Sequence, residues 1–358
     1  MKNILGIVFA AILFLSNYSK ILAINNPLEQ PNNKYGIHVA SMNDLRDAQT
    51  LVNSSGGDWG YVTFVIQSGD RNKDYWQYIF DELREMHLIP LVRIATQPNK
   101  DYWEKPNVTE IDHWVSFLNS LNWVTENRYI IIGNEPNHAK EWGNSIAPEE
   151  YADYLITFSR KLKDVNPDFF ILPAGLDLSA SNTSQTMDVE IFLRRIHSSR
   201  PEFFNSLDGW TSHSYPNPDF TGNVFDNGKR SIQGYKWEQS FLKSLGIDKN
   251  YPIFITETGW AKYSKKTSKY TKLLSEEQIA FNYIDAFTKI WIDSDIVVIT
   301  PFLLNYTHEP FDIFSWKFET GYYSYYEKVK SLSKIDGQPR INEKLKVRSN
   351  YVFPFPNT

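Results

Sequence analysis

The sequence predicts an α/β fold, a single-domain (β/α)8 barrel (TIM barrel), from three observations. Apolar segments rich in β-branched and aromatic residues alternate with amphipathic helical segments. Eight such apolar segments can be counted, which is the number of parallel strands in a closed barrel. They are apolar along their length, as expected for a parallel sheet covered on both faces. An open doubly wound sheet is disfavoured because no glycine-rich phosphate loop follows the first strand.

The eight predicted strands occupy residues 34–41, 59–68, 88–96, 128–137, 169–178, 208–216, 251–260 and 295–306. The predicted helices lie between them, at residues 74–86, 109–121, 148–165, 188–197, 231–245 and 275–292. The helix boundaries carry suitable residues, since Ser275 and Gln278 have the spacing of a capping box and Pro148 suits a first helical turn. No internal repeat or low-complexity segment divides the chain.

The composition limits the class of protein and of partner. The chain has 358 residues, of which 42% are hydrophobic and 15% aromatic, so it can form a large core. A net charge of −5 does not favour a polyanion, and nucleic acid is not an expected partner. The 11 tryptophans and 21 tyrosines are typical of aromatic cores and of surfaces that stack on sugars. The absence of cysteine excludes disulfides and thiolate chemistry.

Three regions are predicted along the chain. Residues 1–23 combine Lys2, an apolar stretch from Ile4 to Leu15 and a small Ala23, which is typical of a signal peptide for secretion or the cell envelope. A retained anchor is the alternative for this segment, and no later segment is a candidate membrane span. Residues 24–337 form the predicted barrel. Residues 338–358 are predicted to be a strap across the barrel or a loose tail.

Two glutamates occur at predicted strand ends. Glu135 lies in GNEPN at the end of the fourth strand, and Glu257 lies in ITETGW at the end of the seventh. The carboxyl ends of barrel strands meet at one face, where active sites are built. Taken alone, each glutamate could equally well be a structural residue that forms a salt bridge or caps a helix. Together they match the paired carboxylates of glycoside hydrolysis, in which one protonates the leaving oxygen and the other attacks or stabilises the sugar carbon.

The sequence resembles a known group of enzymes at these positions. Asn134-Glu135-Pro136 closing strand four, with Glu257 closing strand seven, resembles the clan A retaining glycoside hydrolases, which share a (β/α)8 barrel, and families 39 and 5 are the most similar. The resemblance covers about residues 35–334 and includes HSYP at strand six and FSW at residues 314–316. It implies a retaining enzyme that acts on β-linked oligo- or polysaccharides without a cofactor.

The resemblance also implies roles for individual residues. Glu135 is expected to be the general acid/base and Glu257 the nucleophile. Asn134 is expected to bind the 2-hydroxyl of the sugar in the cleavage subsite. Tyr215 is expected to orient the nucleophile, and His213 to lie near the acid/base, although a core histidine is the alternative for His213.

Three further residues are candidates for substrate binding. Trp316 is expected to form the floor of the cleavage subsite, and Trp260 to stack on sugar, with core packing as the alternative for both. The clan places an arginine beneath the nucleophile at the end of strand two. This chain has Gln67 there and Arg93 at the end of strand three, so either the strand count is off by one or Glu257 is supported differently. A purely structural ion pair is the alternative for Arg93.

Other chemistries are disfavoured by missing motifs. The seven histidines show no HxxxH or HExxH spacing, so no metal site is predicted. No G-x-S-x-G turn follows a strand, which disfavours a Ser-His-Asp triad. Two alternatives to hydrolysis stay open on the same barrel, a transglycosylase and a carbohydrate-binding protein without turnover.

Overall fold

Eight parallel strands form the predicted barrel in a computed structural model, which describes residues 24–262 and 274–342. The strands are β1 (Gly36–His38), β2 (Gly60–Gln67), β3 (Leu88–Ala95), β4 (Arg128–Ile132), β5 (Phe169–Pro173), β6 (Trp210–His213), β7 (Ile253–Glu257) and β8 (Ile296–Ile299). The predicted signal peptide at residues 1–23 and residues 343–358 of the predicted tail lie outside the described residues.

The helices surround the strands. They are α1 (Leu45–Val52), α2 (Lys73–Glu85), α3 (Ile111–Ser120), α4 (Pro148–Val165), α5 (Val189–Ser199), α6 (Glu202–Asn205), α7 (Gly234–Ser244), α8 (Glu276–Asp285) and α9 (Ser324–Lys330). The sequence patterns missed α1, α6 and α9, which are short. The capping box predicted at Ser275 and Gln278 is present at the start of α8. No helix in the two described ranges has the length and hydropathy needed to cross a bilayer.

The strands pair in chain order. The ladder β1-β2-β3-β4-β5 forms one sheet, and β6-β7-β8 forms the other. At one seam between the sheets, the Ile299 N–H donates to the Lys34 carbonyl over 2.9 Å, and Tyr35 bridges Ile299. At the other seam, the Thr211 hydroxyl donates to the Pro173 carbonyl over 2.6 Å. These contacts join the two sheets at both seams.

Side chains alternate between the two faces of each strand, and this alternation explains why one apolar cluster lies inside the barrel and another lies between the strands and the helices. Ile89 and Leu91 of β3 belong to an apolar cluster inside the barrel, whereas Leu88 and Val92 pack in the larger cluster that includes the helices. Successive side chains in a strand point to opposite faces, so Arg93 follows Ile89 and Leu91 on the inward face. Apolar side chains thus fill the barrel below, and polar ones follow at its carboxyl end.

The predicted strands extended too far at their carboxyl ends. The pattern predicted strand four to residue 137, but β4 ends at Ile132, and Gly133 then has a φ of +90°. Glycine adopts this backbone conformation without steric cost, and it turns the chain into the loop that carries Glu135. Glu135 is therefore a loop residue, whereas Glu257 and His213 are the last residues of their strands, and all three lie at the end of the barrel where such enzymes place their chemistry.

Candidate active site

Glu257 is the last residue of β7, and its carboxylate is held on both oxygens. Oε1 accepts a hydrogen bond from an Arg93 NH1 group at 2.5 Å, and Oε2 accepts one from the Tyr215 hydroxyl at 3.1 Å. The side chain is 10% exposed. A mostly buried carboxylate with a charged donor and a hydroxyl donor is fixed in orientation and kept ionised.

Glu135 lies in the loop after β4, with its backbone in the left-handed region at a φ of +31°. Its N–H donates to the Gly175 carbonyl over 3.0 Å, and Pro136 follows it. Its Oε1 lies 3.0 Å from Nδ1 of His213. A non-glycine residue in this region is uncommon and is found at functional sites, where surrounding contacts hold it.

The two carboxylates lie close together. One oxygen of Glu135, one oxygen of Glu257 and one ring nitrogen of His213 all lie within 4.8 Å of one another. His213 Nδ1 is 3.8 Å from Glu257 Oε2, so the imidazole lies beside both acids. This spacing would also suit a cation by distance, but the Nδ1 atom already serves the hydrogen bond to Glu135. Retaining glycosidases place their carboxyl groups about 5–5.5 Å apart, and inverting ones about 6.5–9.5 Å.

Asn134 is connected to Glu257 through Arg93. The same NH1 group of Arg93 that contacts Glu257 donates to Oδ1 of Asn134 over 2.8 Å, and Nδ2 of Asn134 lies 3.3 Å from Oε2 of Glu141. The strand count from the sequence was correct, because β2 ends at Gln67 and Arg93 lies on β3. The support for Glu257 therefore comes from the third strand.

The charges in the site perturb one another. Burial opposes ionisation of Glu257, but His213, Arg93 and His38 outweigh it and lower its pKa to about 2. Burial also opposes the charged form of His213, yet the carboxylates of Glu257 and Glu135 raise its pKa. Burial and the same two carboxylates raise the pKa of Tyr215 well above its usual range, so the phenol stays a donor. At neutral pH the nucleophile candidate is thus an anion surrounded by donors.

Neither predicted tryptophan forms a wall of the site. Trp316 is 1% exposed and packs against Tyr283 and Tyr325, with ring centroids at 4.6 and 5.3 Å. Trp260 is 2% exposed, and its Nε1 donates to the Gly222 carbonyl over 2.9 Å. Both indoles lie in the core, where Tyr283 of α8 packs against each of them and Tyr325 of α9 packs against Trp316. The stacking surface predicted from the sequence is therefore not formed by them in this structure.

Other aromatic rings lie next to Tyr215 instead. Phe220 and Phe314 have ring centroids 5.0 and 5.9 Å from that of Tyr215, and Phe302 packs 5.9 Å from Phe314. The ring centroid of Phe302 also lies 5.1 Å from that of His38, the last residue of β1, so Phe302 is at the carboxyl end of the barrel. The sequence analysis missed Phe302 and Phe220. The signal for Phe302 was its place just beyond strand eight, at the same end of the barrel as the glutamates.

A small cavity of about 60 Å³ lies beside Asn134. It is lined by Arg93, Asn134 and Glu141 together with the aromatic rings of Trp103 and Trp142, among other residues. Trp103 belongs to a short hairpin that follows β3, formed by residues 98–103. Sequence reasoning missed Glu141 because it lies in a short turn, residues 139–141, that shows no strand or helix periodicity. A third carboxyl group thus lies near the paired glutamates.

A second missed pair lies near Glu135. Nε2 of His138 is 2.8 Å from Oδ2 of Asp177, in the loops after β4 and β5. Burial opposes the charged form of His138, but the hydrogen bond to Asp177 and the charge of Glu135 raise its pKa. The carboxylate of Glu135 therefore acts on two imidazoles, by a hydrogen bond to His213 and by its charge on His138.

The sequence matches a family of glycosidases. The family described as cellulase (glycosyl hydrolase family 5) matches residues 93–289, which is more than half of the 358 residues. No curated protein sequence matches the chain.

Solved glycosidase structures share the fold at low identity. A family 39 β-xylosidase from Caulobacter crescentus is 14% identical, with a TM-score of 0.57, over 87% of this chain and 75% of that one. A family 39 enzyme from Xanthomonas axonopodis pv. citri is 13% identical, with a TM-score of 0.55, over 84% and 66% of the two chains. A family 128 (subgroup II) endo-β-1,3-glucanase from Sorangium cellulosum is 13% identical, with a TM-score of 0.52, over 85% and 98%.

These findings confirm the resemblance to clan A and the barrel fold predicted from the sequence. The family match begins at Arg93 on β3 and extends past α8, so it includes both Glu135 and Glu257. The chain belongs to glycosyl hydrolase family 5 and is a glycosidase.

Proposed function

We propose that the protein is an exported retaining glycosidase that cleaves β-linked glycosides or polysaccharides by double displacement. The observation that carries this proposal is the position of Glu135 and Glu257, which follow β4 and end β7 with carboxylate oxygens within 4.8 Å of each other. Oxygens this near each other support the short carboxyl separation of retaining enzymes, in which one carboxylate attacks directly.

In the first step, Glu257 is the nucleophile. A lone pair of its carboxylate forms a bond to the anomeric carbon, and the electrons of the glycosidic bond pass to the leaving oxygen, which takes a proton from Glu135. Arg93 and Tyr215 support this role because they keep Glu257 ionised and oriented before attack. Asn134, which is next to the acid/base in the chain, binds the 2-hydroxyl of the glycone.

In the second step, Glu135 acts as the base. It removes a proton from a water molecule that attacks the anomeric carbon, and Glu257 leaves with the electron pair of its bond. His213 supports the cycle because its Nδ1 lies 3.0 Å from Glu135 and 3.8 Å from Glu257. An imidazole between the acids disperses the negative charge that each develops in turn.

The relatives and the site support the proposed substrate class. The similar structures include a β-xylosidase and an endo-β-1,3-glucanase, and both of these activities concern β linkages. The aromatic rings of Phe220, Phe302 and Phe314 around Tyr215 suit the C–H faces of a pyranose. Export by the signal-like segment at residues 1–23 would give the enzyme access to extracellular glycans.

Removal of the two carboxyl groups tests the proposal. Glu257→Ala should abolish hydrolysis of 4-nitrophenyl β-glycosides, since no covalent intermediate can form. Glu135→Ala should keep the first step on these activated substrates, slow the second step and accumulate glycosyl-enzyme detectable by mass spectrometry. Azide needs no general base, so it should rescue Glu135→Ala and give the β-glycosyl azide. Glu327→Ala, an exposed change on α9, is the control.

Two outcomes would contradict the proposal. If azide rescued Glu257→Ala with an α product and left Glu135→Ala unchanged, the two roles would be reversed. If the wild-type protein bound glycans but neither hydrolysed nor transferred them, it would be a carbohydrate-binding protein on a glycosidase barrel.

A further inference from the structure

Glu141 is a carboxyl group near the active site that the double-displacement mechanism does not use. It ends the short turn formed by residues 139–141 and lies in the cavity wall beside Asn134. Its Oε2 accepts a hydrogen bond from Nδ2 of Asn134 at 3.3 Å. Asn134 and Glu141 are seven residues apart, so a folded loop is needed to bring them together.

The loop that brings them together is well anchored. The His138 N–H donates to the Glu135 carbonyl over 2.8 Å, and the Glu141 N–H donates to the His138 carbonyl over 3.1 Å. Trp142, the next residue, is 3% exposed and packs edge-on against Tyr151 with ring centroids 5.5 Å apart. Because the indole is fixed in the core, the preceding carboxyl group is held at the cavity.

The burial of this carboxyl group is not explained by an ion pair. No salt bridge to Glu141 occurs in the described ranges 24–262 and 274–342, where most other acidic residues near the barrel top have a basic partner. Burial and the charge of Glu135 raise the pKa of Glu141. A partly buried carboxyl group without a cation costs stability. The contact of Glu141 with Asn134 therefore needs a functional explanation.

The chemistry of the three groups fixes the orientation of the Asn134 amide. Arg93 has only donors, so it must face the amide oxygen, and Glu141 offers acceptors, so it must face the amide nitrogen. One N–H of Asn134 is then used by Glu141, and the other is left in a defined direction. An amide held at both ends loses little freedom when it donates to a ligand.

We propose that Glu141 is a positioning residue that makes the enzyme selective for glycones with a free 2-hydroxyl, by locking the Asn134 amide between itself and Arg93. This inference rests on the proposed function, in which Asn134 binds that hydroxyl. The remaining N–H of Asn134 meets the 2-hydroxyl oxygen. A glycone without this hydroxyl gains nothing from the locked amide, so the effect of Glu141 depends on the substrate.

A substrate pair separates this role from a general structural one. The kcat/KM values are measured for 4-nitrophenyl β-glucoside and its 2-deoxy counterpart with the wild-type protein, Glu141→Leu and Glu141→Gln. Glu141→Leu should lower kcat/KM about 10- to 50-fold on the 2-hydroxy substrate and less than about 3-fold on the 2-deoxy one. Glu141→Gln keeps an acceptor oxygen of similar position and should restore most of the preference.

Two control variants complete the experiment. Glu150→Leu makes the same chemical change at an exposed site on α4, where Glu150 pairs with Lys105, and should leave both substrates unaffected. Asn134→Ala should remove the 2-hydroxyl preference by itself, and adding Glu141→Leu to it should cause little further loss. Equal losses on both substrates, or an unchanged preference in Glu141→Leu, would overturn the inference.

The outcome for the proposed function is read separately. If the wild-type protein cleaves neither glycoside, the hydrolytic proposal fails. Calorimetric binding of the same two glycosides then still tests Glu141, because the wild type should bind the 2-hydroxy compound more tightly and Glu141→Leu should not. Equal affinities of the wild type for both compounds would contradict the inference without any reference to turnover.

Discussion

Arg93 acts on two functional groups at once. Its NH1 group contacts both the carboxylate of Glu257 and the amide oxygen of Asn134. Sequence reasoning found this arginine but could not decide between a nucleophile support and a structural ion pair. The distance of 2.5 Å to Glu257 favours support of the nucleophile, since a charged donor this close strongly stabilises the ionised carboxylate.

Removal of Arg93 should change the pH dependence of the enzyme. The pKa of Glu257 is lowered to about 2. Its carboxylate is therefore ionised above that pH and loses its charge only as the pH falls through it. Arg93→Met removes one cause of the lowering, so the pKa should rise, and the acidic limb of kcat/KM should move to higher pH by about one unit or more. Profiles of kcat/KM against pH measure the shift.

The control for this change is Arg195→Met, which breaks an exposed ion pair between Arg195 of α5 and Glu149 of α4 and should leave the limb in place. Arg93→Lys keeps the positive charge, so the acidic limb of kcat/KM should lie close to its wild-type pH. An acidic limb in Arg93→Met at the same pH as in the wild type would show that Arg93 does not support the ionised nucleophile.

The predicted site residues that the structure brings together share one property. Glu135, Glu257, His213 and Tyr215 all follow directly from strand ends, and strand order alone brings such residues to one face of a barrel. Glu141 could not be found this way, because its contact with Asn134 depends on a turn and on the packing of Trp142. Its place is decided by tertiary contacts that no periodicity records.

At the level of elements, helices α8 and α9 explain why the tryptophans that were predicted to stack on sugar are buried instead. Tyr283 of α8 and Tyr325 of α9 both pack on Trp316. The sequence patterns missed α9, so they could not show that this ring would be covered. A rim position and a core position look alike in a sequence when the covering helix is unknown.

Truncation of Trp316 should therefore affect stability first. Trp316→Ala leaves a large cavity between α8 and α9 and should lower the free energy of unfolding by about 3–5 kcal/mol, whereas Trp316→Phe should cost less. Urea unfolding followed by fluorescence measures the loss, and KM of the folded protein should change little at low temperature. A normal unfolding midpoint combined with a raised KM would instead support the stacking role predicted from the sequence.

The seam between β5 and β6 controls the position of His213. A Cβ atom added to Gly175, two residues after β5, would lie 2.2 Å from Cδ2 of the His213 ring on β6. The Gly175 carbonyl also accepts the N–H of Glu135. The ring is 3% exposed, so it cannot move outward without displacing its neighbours. The close approach of the two strands therefore sets the distance between His213 and Glu135.

Gly175→Ala should lower activity by displacing this ring. We expect kcat to fall about 10-fold or more, because the His213–Glu135 hydrogen bond would be lost and the acid/base moved. Gly60→Ala is the matched control, since its Cβ would lie 2.4 Å from Val52 at the other end of the barrel and should reduce stability only. Equal kcat values for Gly175→Ala and the wild type, both fully folded, would contradict this assignment.

In the whole molecule, the candidate active site and the segments that cover the barrel lie at opposite ends. The carboxyl end holds the glutamates, whereas the amino end is covered by residues 24–33 and by residues 336–342 of the C-terminal part. The Glu126 N–H donates to the Arg340 carbonyl over 2.8 Å, and the Gln338 N–H to the Pro31 carbonyl over 2.8 Å. The barrel and its catalytic face could be predicted from strand order. These covering contacts could not, because they involve irregular segments without a repeating pattern.

Asn32 connects this cover to the barrel interior. Its Nδ2 donates to the Val297 carbonyl of β8 over 2.6 Å, and its Oδ1 accepts from the buried Tyr61 hydroxyl of β2 over 2.7 Å. Asn32→Ala would leave the Tyr61 hydroxyl without its acceptor at the bottom of the barrel. We expect the free energy of unfolding to fall by about 1–3 kcal/mol, the usual cost of an unsatisfied buried polar group.

The same change should leave catalysis intact, because the carboxyl end of the barrel keeps every contact described for it. Urea unfolding and kcat/KM are measured for Asn32→Ala, for Tyr61→Phe and for the double variant, with Asn250→Ala, an exposed change in the loop before β7, as the control. The losses in stability of the two single variants should add only in part, since both variants remove the hydrogen bond between Tyr61 and Asn32. A fall in kcat/KM with unchanged unfolding would show instead that the two ends of the barrel are energetically coupled.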